Sequence, residues 1–262
     1  MTVKTRLFLV LFFLGFAGVV AVLLIDLSAL ISLIPFPPGS EVPVITPAIK
    51  VLGLIQPGVL VAVAVLIGVS LAPKVGLTAP ASESLATGRP MLPDLKPQLL
   101  PGLLGGVAGG LLILLTAALF KPLLTTETIE RISKFGAVLP IPTRLLYGGI
   151  TEEVLVRWGL MTLFVWIGWR VFQKRLAKPT SICFVAAIFV SSFVFGLGHL
   201  PVASLVLPQI TAAVVFYVIV ANSIFGLIAG YLYWKRGLEA AMIAHMLCHV
   251  VLATASRVGA YF

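Results

Sequence analysis

The 262-residue chain is 60% hydrophobic and only 10% charged, with a mean hydropathy of +1.15. That is too little charge to cover the surface of a soluble domain of this size. Its net charge of +9 suits the loops of an integral membrane protein, and without a basic patch interleaved with aromatics on a soluble face it argues against a nucleic-acid partner. Long apolar runs that do not alternate indicate an all-α, polytopic transmembrane helical bundle and not a barrel.

In chain order, the first twenty residues have the basic start and apolar run of a signal peptide. The apolar stretch continues to about Phe36 with no clean small-residue cleavage site, so it reads as a retained first helix or signal anchor. At roughly 20 residues per crossing, seven segments are long enough to span, near 7–34, 51–72, 101–120, 147–169, 181–200, 209–234 and 238–257. Pro57 is expected to kink the second, and the sixth is expected to tilt or to break near Asn222. The polar, proline-rich stretch 73–100 reads as an exposed loop. It divides the chain into an N-terminal hairpin (1–72), that loop, and a core (101–262). The segment 121–146 carries Glu127, Glu130, Arg131 and Lys134 at helical spacing; an interfacial amphipathic helix and a solvated loop both fit.

Gly102, Gly106 and Gly110 recur every fourth residue, as do Gly226 and Gly230. Small residues at this spacing let helices approach closely in lipid. Cys183 and Cys248 lie in apolar runs and form no disulfide or zinc-cysteine framework. Setting Arg157 aside, an N-terminus inside places eleven Lys and Arg on the cytoplasmic side against six outside. The basic loop RVFQKRLAK is the strongest vote for N-in and C-out. Short loops and low lysine suggest a prokaryotic plasma membrane, with lipid as one partner.

An ionisable side chain at membrane depth is costly and usually faces a cavity with a partner. Six occur here: Glu152, Glu153, Arg157, His199, His245 and His249, which include every histidine of the chain. Glu153 and Arg157 share a helix face and form an ion pair. Glu152 lies about 100° further round and needs another partner, or reaches interfacial water. Pro201 disfavours helix at Leu200, so His199 is placed near a helix end. His245 and His249 share a face near the middle of the last span, for interhelical hydrogen bonding or for chemistry. With this topology one cavity open to the outer side can gather Glu152, His199, His245 and His249.

Two schemes for activating water fit that set. Glutamate acts as general base with histidines donating to the oxyanion, or Glu152, His199, His245 and His249 hold a zinc whose water is the nucleophile. Both attack a carbonyl and predict peptide or amide hydrolysis. Cys248 has a histidine in reach only at His245, and nothing else supports that pair.

The motifs Glu152-Glu153-x-x-x-Arg157, Phe195-x-x-x-His199 and His245-x-x-x-His249, in that order on separate helices, resemble those of the CAAX protease and bacteriocin-processing family of intramembrane proteases, which includes the Ras-converting CAAX endopeptidase. The resemblance spans roughly residues 100–257. It implies an intramembrane endopeptidase acting on a membrane-associated protein or peptide. Glu152 and His199 would activate water, His245 and the residue at 249 would line the oxyanion site, and Glu153 with Arg157 would support the cavity. The family has been described both as metalloproteases and as glutamate-dependent enzymes. Its last motif usually ends in Asn or Asp, where this chain has His249. That departure leaves a silent, partner-binding member as an alternative. A small transporter is a third reading, disfavoured by the absence of related halves.

Overall fold

The computed structural model describes residues 1–36, 39 and 46–259; residues 37–38 and 40–45 of the expected hairpin, and 260–262, lie outside the described residues. In chain order the helices are α1 (Val3–Ala21), α2 (Leu27–Ile31), α3 (Pro47–Leu52), α4 (Ile55–Val75), α5 (Pro80–Ala86), α6 (Leu92–Phe120) and α7 (Thr126–Val138). They are followed by α8 (Ile141–Phe172), α9 (Ser181–Gly198), α10 (Leu200–Val206), α11 (Ala212–Arg236) and α12 (Leu238–Arg257). Among the described residues, seven helical stretches are long and apolar enough to cross a membrane, matching the seven expected. The protein is an integral, multi-pass helical bundle.

Several boundaries differ from expectation for identifiable reasons. Asp26 caps α2 by accepting from the backbone N–H groups of Ser28 and Ala29, so the first crossing ends before residue 34. Pro57 sits in the first turn of α4, where its missing N–H costs little, and the expected kink has no cause there. Asn222 does not break α11, which is continuous; its side-chain Nδ2 donates to Val218 O at 2.8 Å, one turn back, so the amide is accommodated without opening the backbone.

The stretch 73–100 is not the exposed loop its composition suggests. It contains α5 and the first turns of α6, and Ser82, Ser84 and Gln98 turn inward while Lys74, Arg89 and Lys96 stay exposed. Buried Glu239, at the start of α12, accepts at Oε1 from the N–H and the Oγ–H of Ser82, both at 2.8 Å. Its Oε2 accepts from Gln98 Nε2 at 3.2 Å, and Gln98 Oε1 accepts from Ala240 N–H at 2.9 Å. A buried carboxylate is tolerated when its lone pairs are met in this way. Gly237, at φ 115°, makes the sharp α11–α12 connection beside this knot, a conformation open to glycine and costly to other residues.

The glycine spacing carries the bundle. Gly102, Gly106 and Gly110 of α6 meet Ile243, Ala244 and Val251 of α12, while Gly105 and Gly109 meet Leu232 and Phe225 of α11. Gly226 and Gly230 of α11 meet Ser192 and Ile188 of α9. A Cβ at any of these positions would press into the neighbouring helix. The N-terminal hairpin joins the same core: Gly15 and Gly18 of α1 lie against Val154 and Thr151 of α8, and Gly68 of α4 receives the Trp158 indole.

The segment 121–146 settles as a helix over α7, with ion pairs Glu127–Arg131 at 3.2 Å and Glu130–Lys134 at 3.7 Å on its exposed side. Arg131 Nη1 also donates to Leu33 O at 2.6 Å and Val206 O at 3.4 Å, tying α7 to the ends of two neighbouring segments.

Candidate active site

The helix bearing the acidic motif is wound unusually. It is π-helical over Arg144–Thr151 and again over Val154–Met161, with Glu152 and Glu153 between the two wide stretches. Wide turns of this kind are rare and concentrate at functional sites. Two hydroxyls follow the looser winding: Thr151 Oγ1 approaches Leu146 O at 3.3 Å and Thr162 Oγ1 approaches Arg157 O at 3.3 Å, each five residues back. Thr151 Oγ1 also donates to Gly15 O of α1 at 2.6 Å, and Thr143 Oγ1 to Ala21 O at 2.7 Å. Hence α1 holds the wide turns in place.

Glu153 and Arg157 form the expected pair, Oε2 to Nε at 3.2 Å, with both side chains fully buried. Three further contacts meet these charges. Arg157 Nη2 donates to Gly226 O at 3.1 Å, and its guanidinium lies over the Phe195 ring, 4.9 Å from the centroid. Glu153 Oε1 takes the ring nitrogen Nδ1 of His245 at 2.8 Å. This last contact was not visible in the sequence, where Glu153 and His245 lie 92 residues apart. With Nδ1 held by a carboxylate, the imidazole is fixed in orientation and its Nε2 faces Glu152 Oε2 at 3.9 Å.

His199 closes α9, as Pro201 led one to expect, and its Nδ1 bonds Phe195 O at 2.8 Å. The His245 ring stacks on His249 with centroids 4.8 Å apart and lies tilted against Phe225 at 4.3 Å. Phe195 meets both His199 and His245 edge-on, at 4.7 Å and 6.0 Å. Among the described residues His249 Nε2 is buried without a hydrogen-bond partner, and it lies where a Cβ on Gly148 would stand. Gly148 is therefore the residue that admits the His249 ring.

Glu152, His199, His245 and His249 all line one cavity of about 560 Å³, so the four residues gather as expected. The cavity lies at the end of the bundle away from the N-terminus. Its walls are mostly apolar and include Val22, Ile25, Leu54 and Pro57 of the N-terminal hairpin, with Phe135 and Leu139 at and beyond the end of α7. Glu153 and Arg157 sit behind the wall, buried and outside the lining. Sequence reasoning missed Asn222, Tyr147 and Arg144, which line the same space. Asn222 carried a signal, a lone amide in the middle of an apolar span, but it was read as a weak point of the helix. The guanidinium of Arg144 is turned to the backbone carbonyls of Leu139, at 3.0 Å, and Gly136.

A zinc held by Glu152, His199, His245 and His249 does not fit this arrangement. Among the described residues no three His, Cys, Asp or Glu side chains gather as a metal-ligand group. The Nδ1 contacts of His199 and His245 leave Nε2 of each open, but His249 turns Nε2 to Gly148. The four line one cavity without converging on one point.

Residues 134–251 match the family model described as type II CAAX prenyl endopeptidase Rce1-like. The match begins inside α7 and ends inside α12, so it contains all three motifs and leaves out α1 to α6. No curated protein and no solved structure matches the chain.

Proposed function

We propose, from the premise that residues 134–251 belong to the Rce1-like family of type II CAAX prenyl endopeptidases, that this membrane protease hydrolyses a peptide bond with water activated by Glu152. The observation that carries the reading is the placement of Glu152 Oε2 at 3.9 Å from His245 Nε2, on the wall of a mostly apolar cavity. That separation is too long for a direct hydrogen bond and suits a single water oxygen bonded to both.

In this reading Glu152 accepts a proton from the water as its oxygen adds to the scissile carbonyl carbon. The tetrahedral adduct collapses with cleavage of the C–N bond, and the leaving amine takes the proton back from Glu152. The Nε2 atom of His245 accepts the water's other hydrogen and orients it, its ring held by the Nδ1 contact with Glu153, and His199 lines the cavity beside them. Glu153 and Arg157 position His245 and touch no substrate. The apolar walls suit a substrate drawn from the membrane, an apolar peptide segment or a lipid-modified chain, and they keep bulk water from competing.

The test is a cleavage assay on purified protein in detergent against a pool of membrane-protein peptides, with wild type beside Glu152→Gln and metal content read on the same samples. Wild type is expected to cut a defined subset and Glu152→Gln to cut none while keeping the wild-type melting temperature. Full activity in Glu152→Gln would refute the assignment of the base. Stoichiometric zinc lost together with activity on chelation would return the metal scheme.

A further inference from the structure

Towards the end of the bundle that carries the N-terminus, α6 and α11 pack through Gly105, which meets Leu232 and Ile228. Beside this contact lies a surface groove of about 720 Å³. Among the described residues its lining comes from α6 and α11 alone, so no third helix covers it. Leu104 and Ala108 of α6 and Leu227 and Ile228 of α11 wall its apolar part. Lys235 and Arg236, both exposed, stand at its end.

The groove has the length of one leaflet. From Leu227 to Arg236 the α11 side rises about 14 Å at 1.5 Å per residue, and half of a hydrocarbon core of roughly 30 Å is about 15 Å. The basic end is the last turn of α11, where the chain leaves its apolar span. Just below it, Tyr231 and Trp234 meet edge to face at 6.5 Å, and aromatic residues of this kind mark the headgroup boundary. The shape suits an acyl chain lying along Ala108 and Ile228, with a polar group at Lys235 and Arg236.

The charges give the sign of that polar group. Among the described residues no ion pair reaches Lys235 or Arg236; the pairs lie on α7 and around Glu152 and Glu153. The carboxylates at this end are turned to other donors. Glu83 accepts from Ala79 N–H, Asp94 from the Ser84 hydroxyl, and Glu239 from Ser82 and Gln98. Lys235 rests its ammonium on the Trp234 ring, 3.5 Å from the centroid. That contact fixes the side chain and leaves N–H groups to give. A guanidinium such as that of Arg236 offers two parallel N–H bonds to a phosphate. A zwitterionic headgroup would bring its own cation to a place that already holds two, and an anionic one would not.

We propose that the groove between α6 and α11 binds an anionic phospholipid, with its phosphate at Lys235 and Arg236 and one acyl chain against Ala108 and Ile228. The site lies at the other end of the bundle from the cavity and does not depend on the hydrolytic reading.

The experiment uses the full-length protein, stripped of lipid in detergent and titrated with phosphatidylglycerol or with phosphatidylcholine of the same acyl chains. Native mass spectrometry counts the bound lipid, and the melting temperature is read in parallel. Wild type is expected to retain one phosphatidylglycerol, to melt higher with it, and to prefer it to phosphatidylcholine by about tenfold or more. Lys235→Gln combined with Arg236→Gln is expected to weaken phosphatidylglycerol binding about 30-fold, at roughly fivefold per basic residue. Without lipid this variant should melt as wild type does. Ala108→Phe keeps both charges and fills the apolar floor, and it is expected to lose the bound lipid. Lys174→Gln combined with Arg175→Gln removes the same charge from the exposed α8–α9 loop and is expected to bind as wild type does. Equal retention of the two lipids overturns the proposal, as does full retention in either groove variant. An equal loss in the loop variant overturns it in favour of diffuse surface charge. Glycerol 3-phosphate that raises the melting temperature as far as the lipid does overturns it in favour of a phosphate site without a chain.

Discussion

Arg157 and Glu153 show how this chain keeps charge in an apolar bundle. Each is fully buried, so removing one leaves the other uncompensated. Glu153→Ala should lower stability by about 3–5 kcal/mol, read as a fall in melting temperature in detergent. Because Glu153 also holds Nδ1 of His245, the same variant should lose cleavage even where folded protein is recovered. The ion pair was legible from its four-residue spacing. The His245 contact was not, because helical periodicity reports neighbours on one helix and says nothing of which helices face each other. Gly148 offers a second test. Gly148→Ala would drive a methyl into the His249 ring and should destabilise by about 1–3 kcal/mol. Adding His249→Ala should recover most of that loss. A double-mutant cycle in which the two effects simply add would show that the contact does not matter.

The helices divide between those that the sequence announces and those that it disguises. The membrane crossings were legible because apolar length is a strong signal, and the end of α9 at His199 because Pro201 follows it. The segment 73–100 was misleading because its serines, Gln98 and Asp94 look solvated. Ser84 in fact donates to Asp94 within the stretch, and the partner of Ser82 and Gln98, Glu239 in α12, lies far along the chain. The wide turns of α8 were equally hidden, since their support comes from carbonyls of α1. Thr151→Val removes the bond to Gly15 O while keeping the shape, and about 1 kcal/mol should go with it. If the wide winding also sets where Glu152 points, kcat should fall by more than that loss of stability alone would cause. At α7, Arg131→Ala releases the bonds to Leu33 O and Val206 O. Faster amide exchange over Thr126–Val138, with α6 and α12 unchanged, is the expected result.

For the molecule as a whole, the cavity and the N-terminus lie at opposite ends of the bundle, and the excess of Lys and Arg would place the N-terminus inside. The site would then open away from the cytoplasm. In intact cells, a membrane-impermeant maleimide should label Glu127→Cys at once and Lys178→Cys only after permeabilisation, with Cys183 and Cys248 silent because both are buried. The reverse pattern would invert the topology. Composition sufficed for the bundle and the motifs for the gathering of Glu152 with the three histidines. Neither could reveal that residues 1–72 share the core, since a hairpin of apolar helices looks the same whether it faces lipid or protein.

Val22, Ile25, Leu54 and Pro57 wall the cavity, yet they lie outside the stretch that carries the three motifs. The part of the chain that would choose a substrate and the part that would cut it are thus separately mutable. Exchanging the wall residues, while keeping the glycines that seat α1 and α4 on α8, should redirect the enzyme to different peptides with its turnover chemistry intact. A lineage of such proteins could diversify in diet long before it diversified in mechanism.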